Sequence, residues 1–169
     1  MANKLNINLV LCRKYDDETK TISNIFNKIT TNDKHEATFS IVTFVNGIGD
    51  TRNDERFVLH YFLVKIEDDT GEGKKGLYLG ATGFFSRLQE EYKKNREVVN
   101  SSTFSELTFE DVPFIGEGRY IIEAYKVDGN LEENEDYEDL RNKSLDYRKN
   151  GEYVAFASFI VKYPKERNT

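Results

Sequence analysis

The chain has no tryptophan, one methionine, two prolines and a single cysteine among its 169 residues. A lone cysteine, Cys12, excludes an internal disulfide. Small secreted domains usually carry an even set, so a reducing, cytoplasmic setting is expected. The N-terminus lacks the continuous apolar run of a signal peptide, because residues 5–12 alternate with asparagines. The longest apolar stretch, residues 153–161, is about half of a membrane span and contains Ser158, so no membrane segment is expected. A chain of this length buries about two-thirds of its unfolded surface and needs no covalent staples, which fits one domain over residues 1–169.

Positive charge is also in short supply. The sequence holds 30 acidic against 24 basic residues, a formal net charge of −6. Non-specific nucleic-acid binding draws most of its affinity from a basic surface, so direct binding of that kind is not expected. Soft and imidazole ligands are scarce too. Cys12, His35 and His60 are the whole supply. They share no close ligand spacing and cannot complete a four-ligand zinc site unaided. A nucleophilic pair of Cys12 and His60 competes with a structural reading, since Cys12 ends an apolar strand where a buried thiol acts as a small hydrophobe. No metal, cofactor or catalytic set is expected.

What is abundant is aromatic. Twelve Phe and ten Tyr suit a pleated, half-buried surface and lean the chain toward sheet. Residues 5–12 set Leu5, Ile7, Leu9 and Leu11 on one face at period two, with Asn6 and Asn8 opposite. Residues 37–45 repeat the pattern with Phe39, Ile41, Thr43 and Val45. Residues 56–66 are apolar on both faces, which predicts an interior strand covered on each side. Residues 76–85 form a glycine-broken strand with a bulge or close crossing near Gly80 or Gly83. Further strands fall at 103–109, 119–127 and 153–163. Residues 21–30 fit a strand or a helix, and the turn at 16–18 favours the strand. The predicted core includes Phe39, Ile41, Leu59, Ile122 and Phe156.

Two stretches have helical character. Ser86 to Gln89 has the form of a capping box before residues 90–98. Within residues 134–147, Tyr137, Leu140, Ser144 and Tyr147 fall on one stripe among charges. The fold class is therefore mainly β, an antiparallel β-sandwich or open barrel with one or two inserted helices.

The string Gly71-Glu72-Gly73-Lys74-Lys75-Gly76 matches a dinucleotide-binding pattern, but that chemistry needs a helix to begin inside the motif. Residues 77–83 read as strand, so a hairpin turn built on Asp68, Asp69 and the glycines is the expectation. The acidic runs at 16–18, 54–55 and 67–69 lack the alternating carboxylates of a calcium loop.

Residues 128–151 depart from the rest of the chain. They carry eight acids and four bases, so their balance is 4 − 8 = −4. Glu132, Glu133, Glu135, Asp136, Glu138 and Asp139 cluster around Tyr137. Such a run could meet a basic protein surface or imitate nucleic-acid phosphates. Equally, acids at a helix start favour its macrodipole and need no partner.

The pairing of Leu9-Val10-Leu11-Cys12 and the Ile/Phe-rich segment 22–29 with the late stretch 114–123 (Gly118-Arg119-Tyr120 at its centre) resembles a group of uncharacterised small bacterial β-sandwich proteins. That resemblance implies a fold and no activity, and the acidic insertion departs from it. The function expected is a non-enzymatic protein-interaction domain using residues 132–139. One form would be a phage-type inhibitor of a nucleic-acid-processing or defence complex. The alternative is a small-ligand or carbohydrate-binding sandwich using Tyr78, Phe84 and Phe85.

Overall fold

The computed structural model describes residues 5–48, 56–67, 76–85, 101–131 and 135–165. Its nine strands are β1 (Asn6–Asp16), β2 (Thr21–Ile25), β3 (Lys28–Thr30), β4 (Glu36–Ile48), β5 (Arg56–Lys65), β6 (Leu77–Phe85), β7 (Ser101–Pro113), β8 (Gly118–Asp128) and β9 (Glu152–Lys162). They form a four-stranded sheet, β2-β1-β4-β7, and a five-stranded sheet, β3-β9-β8-β5-β6. Every pairing is antiparallel except β3 with β9. The chain is a mainly β, two-sheet sandwich with two short helices.

Residues 21–30 are strand, divided between the two sheets. β2 pairs with β1 and β3 pairs with β9. The crossover is anchored where Phe26 N–H donates to the Leu11 carbonyl and Ile160 N–H donates to that of Asn27. A helix would have kept Ile22, Ile25, Phe26 and Ile29 on one side. The extended chain instead buries Ile29 completely and leaves Ile25 67% exposed.

Period-two alternation builds the core. Phe39, Ile41, Leu59 and Ile122 are buried as expected. The Phe39 ring meets those of Phe26, Phe109, Phe114 and Phe159 at 5.9–6.4 Å between centroids. Such packing adds to the hydrophobic stabilisation of each ring. Tyr61 and Thr43 tie the sheets together through a hydroxyl–hydroxyl hydrogen bond of 2.7 Å. Burial pushes the Tyr61 phenol up to about 12. Near the start of β8, the Tyr120 hydroxyl donates to the carbonyls of Ile115 and Gly116, each at 2.9 Å. A tyrosine pinning the backbone a few residues upstream is a recurrent device of β-sandwich corners.

Phe156 corrects the predicted core, for it is 59% exposed. On β9 the inward residues are Ala155, Ala157, Phe159 and Val161, so the even-numbered Phe156 points outward and pairs with Glu123 of β8. A strand rich in large residues on both faces does not declare which face is inner.

The glycine-broken β6 carries the expected irregularity. Its register against β5 jumps between Tyr61↔Gly80 and Phe62↔Tyr78, and Gly80 takes φ +149°, a conformation that side chains rarely adopt. Because β5 and β6 are antiparallel neighbours and a strand follows Gly76, the glycine motif belongs to a hairpin connection and opens no helix. Residues 68–75, which hold most of the motif, lie outside the described residues, as does the helix expected at 86–98. Among the described residues no helix is long and apolar enough to cross a membrane.

Candidate functional site

β5 reads eBBBBBBBBi along its length, buried on both faces as its sequence requires. Its inward residues fill the sandwich. The outward residues His60, Phe62 and Val64 are no more than 2% exposed, and what covers them is the acidic insertion.

Two helices make that cover: α1 (Tyr137–Asn142) and α2 (Ser144–Asn150). Helices of two turns or fewer are not stable alone, so their order comes from packing. Leu140 of α1 is 7% exposed, packed with Phe62, Val64 and Tyr78. The Tyr137 hydroxyl donates to the Tyr78 carbonyl at 2.8 Å, and the two rings stack at 5.9 Å. In α2, the Tyr147 ring stacks on His60 at 3.8 Å and 13°. Arg148 reaches Glu123 at 3.0 Å, with its guanidinium 5.9 Å from the centre of the Phe62 ring. Tyr125 adds a hydrogen bond of 3.2 Å to the same Glu123 carboxylate. The expected single stripe is thus split at Lys143, which caps α1 and precedes α2.

The acidic residues proposed as a partner surface divide by role. Glu132 and Glu133 lie outside the described residues. Glu135 is paired with Lys143. Asp136 is the N-cap of α1, accepting from the Asp139 backbone N–H at 3.0 Å, a contact that stabilises a helix by about 1 kcal/mol. Glu138 reaches Arg141 at 3.5 Å in an exposed pair and, with Asp139, sits in the first turn, where carboxylates complement the helix dipole. Tyr137 is 45% exposed while bonded to β6, so it is both a staple and a surface ring.

The polar centre under the insertion is His60. Its Nδ1 lies 3.0 Å from the Tyr78 hydroxyl. Burial lowers its pKa to about 4, against an opposing pull from Glu135, so the imidazole is neutral at pH 7. Burial likewise pushes the Tyr78 phenol well above its ordinary value, helped by Tyr147, Tyr137 and Glu135.

Cys12 and His60 do not meet. Cys12 is fully buried on β1 of the four-stranded sheet, opposite Ser40 of β4. His60 lies on the outward face of β5 in the other sheet. Burial raises the Cys12 thiol, and Glu106 raises it further, against a hydrogen bond from the Lys14 backbone. Among the described residues there is no group of three or more His, Cys, Asp or Glu able to hold a metal ion. The rings of the alternative ligand site are also separated. Phe84 belongs to the main core and stacks on Phe57 at 5.2 Å, while Tyr78 packs beneath the insertion. The Phe85 side chain lies outside the described residues.

A cleft of about 310 Å³ opens where the insertion meets the sandwich. Its walls are Leu77, Tyr78 and Leu79 of β6, residues 108–113 of β7, and Tyr137. The sequence placed Tyr78 and Tyr137 in different hypotheses, and the fold brings them together. No local pattern could have joined them, since they lie 59 positions apart.

No family model matches the chain, and no curated protein matches it. Solved structures with some likeness include a β-glucosidase from Kluyveromyces marxianus in complex with glucose, at 9% identity and a TM-score of 0.44. Another is the Pseudomonas fluorescens alkylpurine DNA glycosylase AlkC bound to DNA containing an abasic site analog, at 8% identity and a TM-score of 0.45. Each covers 94% of this chain, which spans 14% and 30% of their respective lengths.

Proposed function

We propose that the chain is a non-enzymatic interaction domain that holds a protein partner through the acidic surface of the 128–151 insertion. The observation that carries this reading is the way the insertion is fixed. Tyr137, Leu140, Tyr147 and Arg148 clamp it onto β5, β6 and β8. Asp136, Glu138 and Asp139 therefore project from an ordered platform that loses little entropy on binding. A basic protein surface is the complementary partner. A phage-type inhibitor that presents carboxylates where a nucleic-acid-processing or defence complex expects phosphates is one form of that partnership.

The test must spare the carboxylates that hold the insertion. Glu132→Gln, Glu133→Gln, Glu138→Gln and Asp139→Asn together leave the Asp136 cap and the Glu135–Lys143 pair intact. Capture of host proteins by wild type and variant is compared by quantitative mass spectrometry across a salt series. The variant should lose its partner and the steep salt dependence, with the melting temperature nearly unchanged because exposed charges contribute little to stability. Equal capture with equal salt dependence would end the reading.

A further inference from the structure

The cleft between β6 and β7 has an unusual construction. Side chains alternate across a strand, so consecutive residues can line one cavity only when it faces the strand's backbone edge. Leu77, Tyr78 and Leu79 are consecutive on β6, and residues 108–113 are consecutive on β7. The cleft is therefore bounded by two sheet edges. Among the described residues β6 has one hydrogen-bonded neighbour, β5, and β7 has one, β4. The opposite side of the sandwich is closed differently, by the chain passing directly from β2 to β3.

The chemistry of the walls selects an occupant. Leu77, Phe109 and Pro113 supply apolar contact, and the Tyr137 ring stands half-exposed beside them. Glu110 and Asp111 are exposed on the β7 wall, and no described residue lining the cleft is positively charged. A β-bulge forms there, because the β4–β7 register jumps between Ala37↔Val112 and Phe39↔Phe109. Asp111 occupies it at φ +48°, and its N–H donates to Thr38 Oγ1 at 3.1 Å. Bulges of this kind re-aim side chains beside binding sites. An unpaired edge recognises an extended chain through its backbone, and side-chain contacts on alternate residues set the specificity.

We infer that this cleft binds an extended, arginine- or lysine-bearing segment of the protein partner along the β7 edge, with a basic side chain on Glu110 and Asp111 and its stem against Leu77 and Tyr137. The inference rests on the interaction-domain reading and names the partner's local form.

The probe is an array of fluorescein-labelled octapeptides in which arginine or lysine alternates with each other amino acid, read by fluorescence anisotropy against the full chain. At least one family of basic peptides should bind saturably. Its glutamate-substituted counterpart should not, and proline at alternate positions should weaken binding about tenfold, because proline removes edge-pairing donors. Glu110→Gln with Asp111→Asn should weaken binding about fivefold, the size of a contact worth ~1 kcal/mol. Leu77→Arg should abolish it by obstructing the wall, with the melting temperature of each variant recorded as a control for folding. The inference is overturned if no basic peptide binds, if the proline peptides bind as tightly as their parents, or if both cleft variants bind unchanged. Oligosaccharide binding that Leu77→Arg removes, in the absence of peptide binding, would assign the cleft to carbohydrate. Failure here leaves the broader reading standing as long as neutralising Glu138 and Asp139 weakens partner capture. Failure of both removes the interaction role altogether.

Discussion

The Tyr147 ring lies flat on the His60 ring, 3.8 Å away and tilted by 13°. One residue comes from a two-turn helix and the other from the most apolar strand in the chain. Their contact converts an acidic insertion into the second cover of β5. The same contact keeps His60 dry, with its Nδ1 on the Tyr78 hydroxyl. The consequences can be measured.

Stability should depend on pH through His60. Its folded pKa, about 4, lies below the ordinary value of 6.5 because burial disfavours the charged form. Between those values the unfolded chain binds the extra proton. The His60 contribution is therefore complete above pH 6.5 and is lost as pH falls toward 4, by roughly 3 kcal/mol in all. Carboxylates also titrate in the lower part of this range, so the measure is a difference. Urea denaturation followed by circular dichroism at pH 7 and pH 4.5 should show a markedly smaller drop for His60→Phe than for wild type. Equal drops would mean that His60 is hydrated in the folded state.

Glu123 and Arg148 should be coupled. Glu123 is 8% exposed and its charge is balanced by Arg148 at 3.0 Å. Removing one partner strands the other in a poorly hydrated site. Arg148→Met should cost about 2–3 kcal/mol, below the range for a fully buried pair because Arg148 retains some exposure. Adding Glu123→Gln should recover part of that loss. A double-mutant cycle in urea that gives additive effects would show that the pair does not hold α2 to the sheet.

Cys12 should behave as a core residue. It is fully buried, and its thiol is raised by that burial. Reactivity follows the accessible thiolate, so a thiol reagent should label it slowly in native buffer and rapidly in denaturant. Fast native labelling would reopen the nucleophile reading.

Much of this architecture was legible in the residue order. Alternation marked β1, β4 and β8, and the two-faced apolarity of β5 announced a cover on each side before any helix was seen. Gly80 marked the bulge in β6. These signals are local: side-chain direction along an extended strand repeats every second residue, whatever the rest of the chain does. Phe156 shows where local information ends. With Tyr153, Phe156, Phe159 and Ile160 spread over both faces of β9, composition favoured neither, and pairing with β8 decided that Phe159 went inward.

The sequence by itself determined that a sandwich would form, that β5 would be interior, and that residues 128–151 would be acidic and helical. Only the tertiary structure decided that this insertion packs on β5, that Glu135 and Asp136 are committed to an ion pair and a cap, and that Tyr78 and Tyr137 share a cleft. The reason lies in range. Periodicity and capping act over a few residues. Which edges are left unpaired, and which helix covers which face, depends on how strands 50 or more positions apart find one another, as Tyr137 finds the Tyr78 carbonyl across 59.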